Sequence, residues 1–400
     1  MARKFKTLDD FDPAGKRVMV RVDLNVPVKG GQVRDTTRIE RVVPTIKELM
    51  EKKARVVVVS HFGRPRGKIV REMSLRVVLR SLQGMLGTQI AFADDCIGPP
   101  AALVVNRLRD GEVALLENLR FHGGEERDDP VFARALAANA QIYVNDAFAA
   151  VHRAHASVSA ITQFLPAYAG RLMESEITTL TRVLDAPERP LTAIVGGAKI
   201  STKLELLKNL LHKVDKLAIG GAMANTFLYA VGLEIGESLA EHRMADTAKS
   251  IMEQAKARGC EIFLPVDAVV AAELRPDAPS QTVPITKVPP RTMILDIGPE
   301  TVKEMEKRFS ESRSLVWNGP LGAFETPPFD AGTVAVAKTI ARVTKAGHLM
   351  SVAGGGDTVA ALAKAGVMHD LTYVSTAGGA FLEWLEGKEL PGIVALAGRS

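Results

Sequence analysis

Short apolar runs alternate with longer amphipathic segments along the whole chain, and that rhythm is what most restricts its fold. In the front half, residues 18–22, 56–59, 113–116 and 142–144 read as strands buried on both faces. In the back half, residues 193–195, 217–219, 261–264, 315–317, 349–352 and 373–374 do the same. Helices with recognisable ends lie between them. Ser74 can cap a helix that stops at Gly87, and Asp129 with Pro130 makes a cap and first-turn pair before Val131. From Lys203 onward, Leu204, Leu207, Leu211 and Val214 share one helical face.

Strands alternating with helices predict two doubly wound α/β domains with parallel, Rossmann-like sheets, one per half. Their ligands belong beyond the carboxyl ends of the strands. A length of 400 residues also exceeds one ordinary core. The amphipathic stretch 173–184 is followed by Asp185, Pro187 and Pro190, which interrupt a helix. An interdomain helix and hinge are therefore expected over 173–190, between domains at 1–172 and 191–380. No internal repeat relates the halves.

Charge and cysteine content exclude several function classes. The net charge of +5 is spread without a basic run, and only 5% of residues are aromatic, so a nucleic-acid platform is not expected. Cys96 and Cys260 form no CxxC pair, which predicts buried free thiols in a reducing compartment. Asp9 and Asp10 precede any apolar leader core, and the apolar stretch 217–233 is broken by Gly220, Gly221, Asn225 and Thr226. That stretch fits a strand, turn and helix better than a membrane span. A cytoplasmic protein without membrane or nucleic-acid partners is the expectation.

Polar residues recur just after the front-half strands. VRVDLNVP offers Asp23 and Asn25, SHFGRP offers His61 and Arg64, LLENLRFH offers Arg120, and DAFAAVHRAHAS offers Arg153. Arg38 lies in the polar stretch 34–41. Arginine suits phosphate and carboxylate because its planar fork donates two parallel hydrogen bonds. The back half instead collects glycine turns that lead into helices: VGGAKISTK, GGAMANTF and AGGGDT, with WNGPLGAFE beside them. Such turns let backbone N–H groups approach a polyanion. Lys199 and Lys203, at i and i+4, are expected to face one ligand from a helix start. Asp357 is placed to cap a helix or to hold Mg²⁺.

Other chemistries lack their signatures. No Walker A loop or GxGxxG fingerprint is present, and no GxSxG elbow supports a hydrolase triad. His152 and His155 have no further ligand at a zinc spacing. Two alternatives stay open on these residues alone: a polyanion-binding protein without turnover, and a dinucleotide-dependent oxidoreductase.

Taken as an ordered set, VRVDLNVP, SHFGRP, LLENLRFH, HRAHAS, GGAK, WNGP, GGGDT and LEGKELPG resemble the phosphoglycerate kinase family from about Arg17 to Pro391. The resemblance implies reversible transfer of the acyl phosphate of 1,3-bisphosphoglycerate to Mg-ADP, giving 3-phosphoglycerate and ATP. It implies a triose site of Asp23, Asn25, Arg38, His61, Arg64, Arg120 and Arg153. It implies a nucleotide site of Gly196, Gly197, Ala198, Lys199, Lys203, Gly220, Gly221, Gly298, Asn318, Glu325, Gly354, Gly355, Gly356, Asp357 and Thr358, with Asp357 holding the metal. Arg38, Lys199, Gly355 and Gly356 would act on the transferring group. A C-terminal segment over 381–400 would return to the front domain, domain closure would precede transfer, and the protein would be a monomer. Ala149, Ala222 and Ala377 stand where the family often has glycine, which would strain any of these backbones that needed a positive φ.

Overall fold

The structure is a computed structural model that describes residues 5–398. The chain divides into two compact units, Met1–Ile177 with Glu389–Ser400, and Thr178–Lys388.

The first unit holds strands β1 (Arg17–Arg21), β2 (Val28–Lys29), β3 (Gln32–Val33), β4 (Arg55–Val59), β5 (Ile90–Ala93), β6 (Val113–Leu116), β7 (Ile142–Asn145) and β8 (Ala167–Ala169). Six of them form one sheet in the order β5-β6-β4-β1-β7-β8. Every pairing in it is parallel. Helices α1 (Thr37–Glu51), α2 (Arg76–Leu86), α3 (Gly98–Val105), α4 (Gly123–Glu126) and α5 (Pro130–Ala137) belong to the same unit. Alternation along β1 and β4 divides the core. Val18, Val20, Val56 and Val58 pack with residues of α1 and α2 such as Ile39, Ile46 and Leu82. Met19, Val57 and Val59 pack with residues of α3 and α5 such as Ala101 and Leu136. The apolar runs are continuous because both faces of the sheet are covered.

Helix α6 (Arg171–Leu184) follows β8, and the first unit anchors its start. Asp146, buried just after β7, accepts the Met173 N–H at 3.0 Å, and Thr45 Oγ1 accepts the Arg171 N–H at 2.9 Å.

The second unit contains β9 (Leu191–Val195), β10 (Lys216–Ile219), β11 (Glu261–Phe263), β12 (Asp267–Ala271), β13 (Ser280–Pro284), β14 (Met293–Ile297), β15 (Ser314–Asn318), β16 (Met350–Gly354) and β17 (Tyr373–Ser375). Its helices are α7 (Leu204–Leu211), α8 (Gly221–Ala230), α9 (Ala245–Ala257), α10 (Pro299–Glu311), α11 (Ala331–Lys345), α12 (Gly356–Ala365) and α13 (Gly378–Leu385). The main sheet is parallel in the order β11-β10-β9-β15-β16-β17. Strand order reverses between β9 and β15, and between β1 and β7 in the first unit. Such switch points open a crevice at the carboxyl ends of the strands. A last helix, α14 (Pro391–Ala397), groups with the first unit, where the Gly392 N–H donates to Val151 O at 2.9 Å.

Every strand read from the sequence is present. The reading missed β5, β8, the short β2–β3 hairpin and an antiparallel sheet of order β13-β12-β14. Strand β13, SQTVP, is largely exposed and polar, so no apolar run marks it. Asp129 caps α5 through the Val131 N–H, as expected, whereas α2 begins one residue later than a Ser74 cap requires. Ser74 Oγ instead accepts from the Arg76 N–H at 3.2 Å and donates to Glu117 at 2.6 Å. Both cysteines are free and buried, as expected. The three alanines carry no left-handed strain, since among the described residues the non-glycine positions with positive φ are Lys53, Arg66, Asp128 and Asp277.

Asp267 at the start of β12 binds the first turn of α10. It accepts the Glu300 N–H at 3.0 Å, the Thr301 N–H at 2.8 Å and the Thr301 hydroxyl at 2.6 Å. Asp267→Ala is expected to lower unfolding stability by about 2 kcal/mol, because three donors lose their acceptor. Urea denaturation of the two proteins measures the difference.

Candidate active site

In the first unit, Asp23, Asn25, Arg38 and Arg120, which follow three different strands or open the next helix, are joined in one hydrogen-bonded network. Arg38, in the first turn of α1, donates through Nη1 to Asp23 Oδ2 at 2.9 Å and to Asn25 O at 3.0 Å. Asn25 Oδ1 accepts the Gly63 N–H at 2.9 Å, and Gly63 O accepts Arg120 Nη1 at 2.8 Å. The turns after β1, β4 and β6 are thereby locked together. His61 is 8% exposed, and its Nδ1 lies 3.0 Å from Arg21 Nη2. Burial, then the charges of Arg21, Arg120, His155 and Arg38, hold its pKa well below the usual value, so the ring is neutral. Arg64 and Arg153 are exposed; Arg153 Nε donates to His152 Nε2 at 3.2 Å.

Two residues of this centre escaped the sequence reading. Arg21 is fully buried in β1, on the Met19 side of the sheet, and Glu125 is fully buried at α4. The available signal was an arginine inside an apolar strand run, since a buried charge demands partners. His155 Nδ1 lies 3.8 Å from Glu125 Oε1. Among the described residues, the one trio with metal-ligand spacing is Asp95, Cys96 and His122.

In the second unit, the turns after β9, β10, β15 and β16 converge. The Gly196 N–H donates to Asn318 O, the Gly221 N–H to Leu321 O and the Met223 N–H to Gly197 O, each at 2.9 Å. A side chain on Gly196 would overlap the Pro320 carbonyl, so the backbones meet only because that position has none. Asn318 ties the centre together: Nδ2 donates to Gly354 O at 2.9 Å, and Oδ1 accepts Lys203 Nζ at 2.5 Å. The Gly319 N–H donates to Thr358 Oγ1 at 2.7 Å. Gly355 caps α12 with φ of 99°, a conformation suited to glycine, and leaves the first N–H groups of that helix free for an anion.

Beside these turns lies a cleft of about 430 Å³, lined by Gly197, Ala198, Gly221, Asn225, Leu239, Met293, Pro320, Leu321, Glu325 and Asp357 among others. Its apolar walls suit a flat ring, and its glycine rim suits phosphates. Gly298 does not line it and instead caps α10. Burial depresses the Lys203 ammonium to about 8, although the nearby Asp357 charge opposes this. Asp357 is exposed at the second position of α12 and makes no capping bond, which removes its capping role and leaves its carboxylate available. The shared helical face expected for Lys199 and Lys203 is absent. The loop after β9 runs on to Lys203, which is the N-cap of α7, and Lys199 is exposed within that loop.

Comparison with known proteins covers both centres. The family model described as phosphoglycerate kinase matches residues 8–388. A phosphoglycerate kinase of Methylorubrum extorquens is 60% identical over 393 residues, 98% of either chain. One of Granulibacter bethesdensis is 59% identical over 392 residues, 98% of this chain and 99% of that one. The solved phosphoglycerate kinase of Coxiella burnetii superposes with a TM-score of 0.91 at 43% identity, covering 98% of each chain. That of Pyrococcus horikoshii gives 0.81 at 32% identity, again over 98% of each. With these matches along nearly its full length, the chain belongs to the phosphoglycerate kinase family.

Proposed function

We propose that the first unit holds the phosphoglycerate and the second the nucleotide, for the family's reaction of 1,3-bisphosphoglycerate with ADP to give 3-phosphoglycerate and ATP. One observation carries this reading. Each unit gathers its anion donors at the carboxyl ends of its own six-stranded parallel sheet. Asp23, Asn25, Arg38, His61, Arg64, Arg120 and Arg153 form the triose site. Gly196, Gly197, Ala198, Lys199, Gly220, Gly221, Gly354, Gly355, Gly356 and Thr358 form the phosphate cradle, with Lys203, Asn318 and Glu325 beside it.

Both oxygens that exchange the phosphoryl group are already anionic, so no proton has to move and no general base is needed. A neutral His61 fits that chemistry as a donor. The barrier is charge repulsion and alignment, which fixed cations and helix N-termini lower. Arg38 and Lys199 flank the transferring group, and the N–H groups of Gly355 and Gly356 receive charge. Arg38 suits the task because Asp23 and the Asn25 carbonyl fix its guanidinium before substrate arrives. The free, exposed carboxylate of Asp357 fits a Mg²⁺ that also binds nucleotide phosphates. When bound, that ion neutralises phosphate charge. Transfer requires the two ligands to meet, and we assign the hinge to 173–190. The enzyme acts as a cytoplasmic monomer on these small molecules, and no helix among the described residues is long and apolar enough to cross a membrane.

ATP consumption dependent on both 3-phosphoglycerate and Mg²⁺, coupled to reduction of the product, tests the reading directly; no binding of either ligand would refute it. Arg38→Ala is expected to lower kcat by about 10³-fold or more while the protein stays folded. A variant that keeps most of its kcat would remove Arg38 from the reacting centre.

Lys203 gives a pH prediction. Its ammonium is depressed to about 8 without ligand, and nucleotide phosphates favour the charged form. ADP should therefore bind with proton uptake above pH 8, and its affinity should fall as pH rises through that value. Calorimetry in buffers of different ionisation enthalpy measures the uptake, and Lys203→Met should abolish it.

A further inference from the structure

Arg21 is the buried cation for which the phosphoglycerate reading has no task. Its Nε donates to Ser157 Oγ at 3.0 Å, Nη1 donates to Val22 O, and Nη2 faces His61 Nδ1 at 3.0 Å. A guanidinium is always protonated and offers no acceptor. Nδ1 of His61 must therefore present its lone pair, and the single hydrogen of the neutral ring must sit on Nε2. The contact thus determines the tautomer.

What holds Arg21 is equally directional. Ser157 Oγ donates to Glu125 Oε1 at 2.6 Å, and the Ser157 N–H donates to Glu125 Oε2 at 2.9 Å. Both carboxylate oxygens act as acceptors, which uses the hydroxyl hydrogen of Ser157. Its lone pair is left to receive Arg21 Nε–H. Burial pushes the Glu125 carboxyl up, while the Arg21 charge and the two Ser157 hydrogen bonds oppose it. Glu125 and Ser157 are fully buried, and the chain of bonds ends at His61. Replacing buried charged groups by well-packed apolar ones is often neutral or stabilising. The polar chain therefore calls for an account beyond stability.

We infer that Glu125 and Ser157 are positioning residues which, through Arg21, fix His61 in the Nε2–H tautomer, so that its ring meets the triose anion only as a donor. This rests on the reading of His61 as a phosphoglycerate ligand. A histidine in the other tautomer would turn a lone pair toward an anion, and affinity for the triose would fall.

The test begins with ¹⁵N NMR of the histidine rings in the ligand-free enzyme, where His61 is expected to be protonated at Nε2 alone. Ser157→Ala and Glu125→Gln are expected to give a mixture of tautomers. They should also raise KM for 3-phosphoglycerate about tenfold, with KM for nucleotide unchanged. A wild-type ring protonated at Nδ1 would overturn the inference. So would a Ser157→Ala enzyme that keeps both the tautomer and KM, whatever happens to its melting temperature. If neither variant folds, the wild-type spectrum decides. His61→Ala tests the underlying reading separately, because an unchanged KM there would remove His61 from the triose site and leave the tautomer result standing.

Discussion

Parallel pairing governs this molecule. Strands that run the same way need crossovers, crossovers place helices on both faces, and all the carboxyl ends then emerge along one edge. In each unit that edge carries the polar turns, since the interior on either side is closed to them. The two centres follow from the same rule applied twice with different side chains. The first unit uses arginines held by carboxylates and carbonyls. The second uses bare backbone, brought so close that a methyl group at Gly196 would not fit.

Burial sets the protonation of the key groups. His61 is neutral because it is buried and, after that, because three arginines stand close to it, and Lys203 is depressed because it is buried behind the glycine turns. Each shift has a chemical sense. A neutral imidazole donates a hydrogen bond without adding another charge to a crowded cation cluster. An ammonium near its titration point gains charge when an anion arrives, so ligand binding and protonation reinforce each other.

The legible parts of the sequence were those where composition and conformation agree. Runs such as VVVV at β4 and VALL at β6 have no other stable home, and the glycine turns stood out against the helices they precede. Three features were hidden for physical reasons. Strand β13 is polar because it is exposed, so only its pairing with β12 marks it as a strand. The spacing of Lys199 and Lys203 looked helical, but α7 starts only at Leu204. Arg21 and Glu125 passed as ordinary charged residues, since their importance comes from Ser157, which is 136 residues from Arg21 in the chain. Spacing along a sequence carries no record of such a contact.

Asp146 opens the loop that carries Arg153, and its carboxylate holds the Met173 N–H in the first turn of α6. The same residue donates its own N–H to Arg21 O at 2.8 Å. One buried residue, through its carboxylate and its backbone N–H, thus pins together the loop that carries Arg153, a central strand of the sheet and the start of helix α6. The helix that leaves the first unit is tied, through that residue, to the loop that carries Arg153.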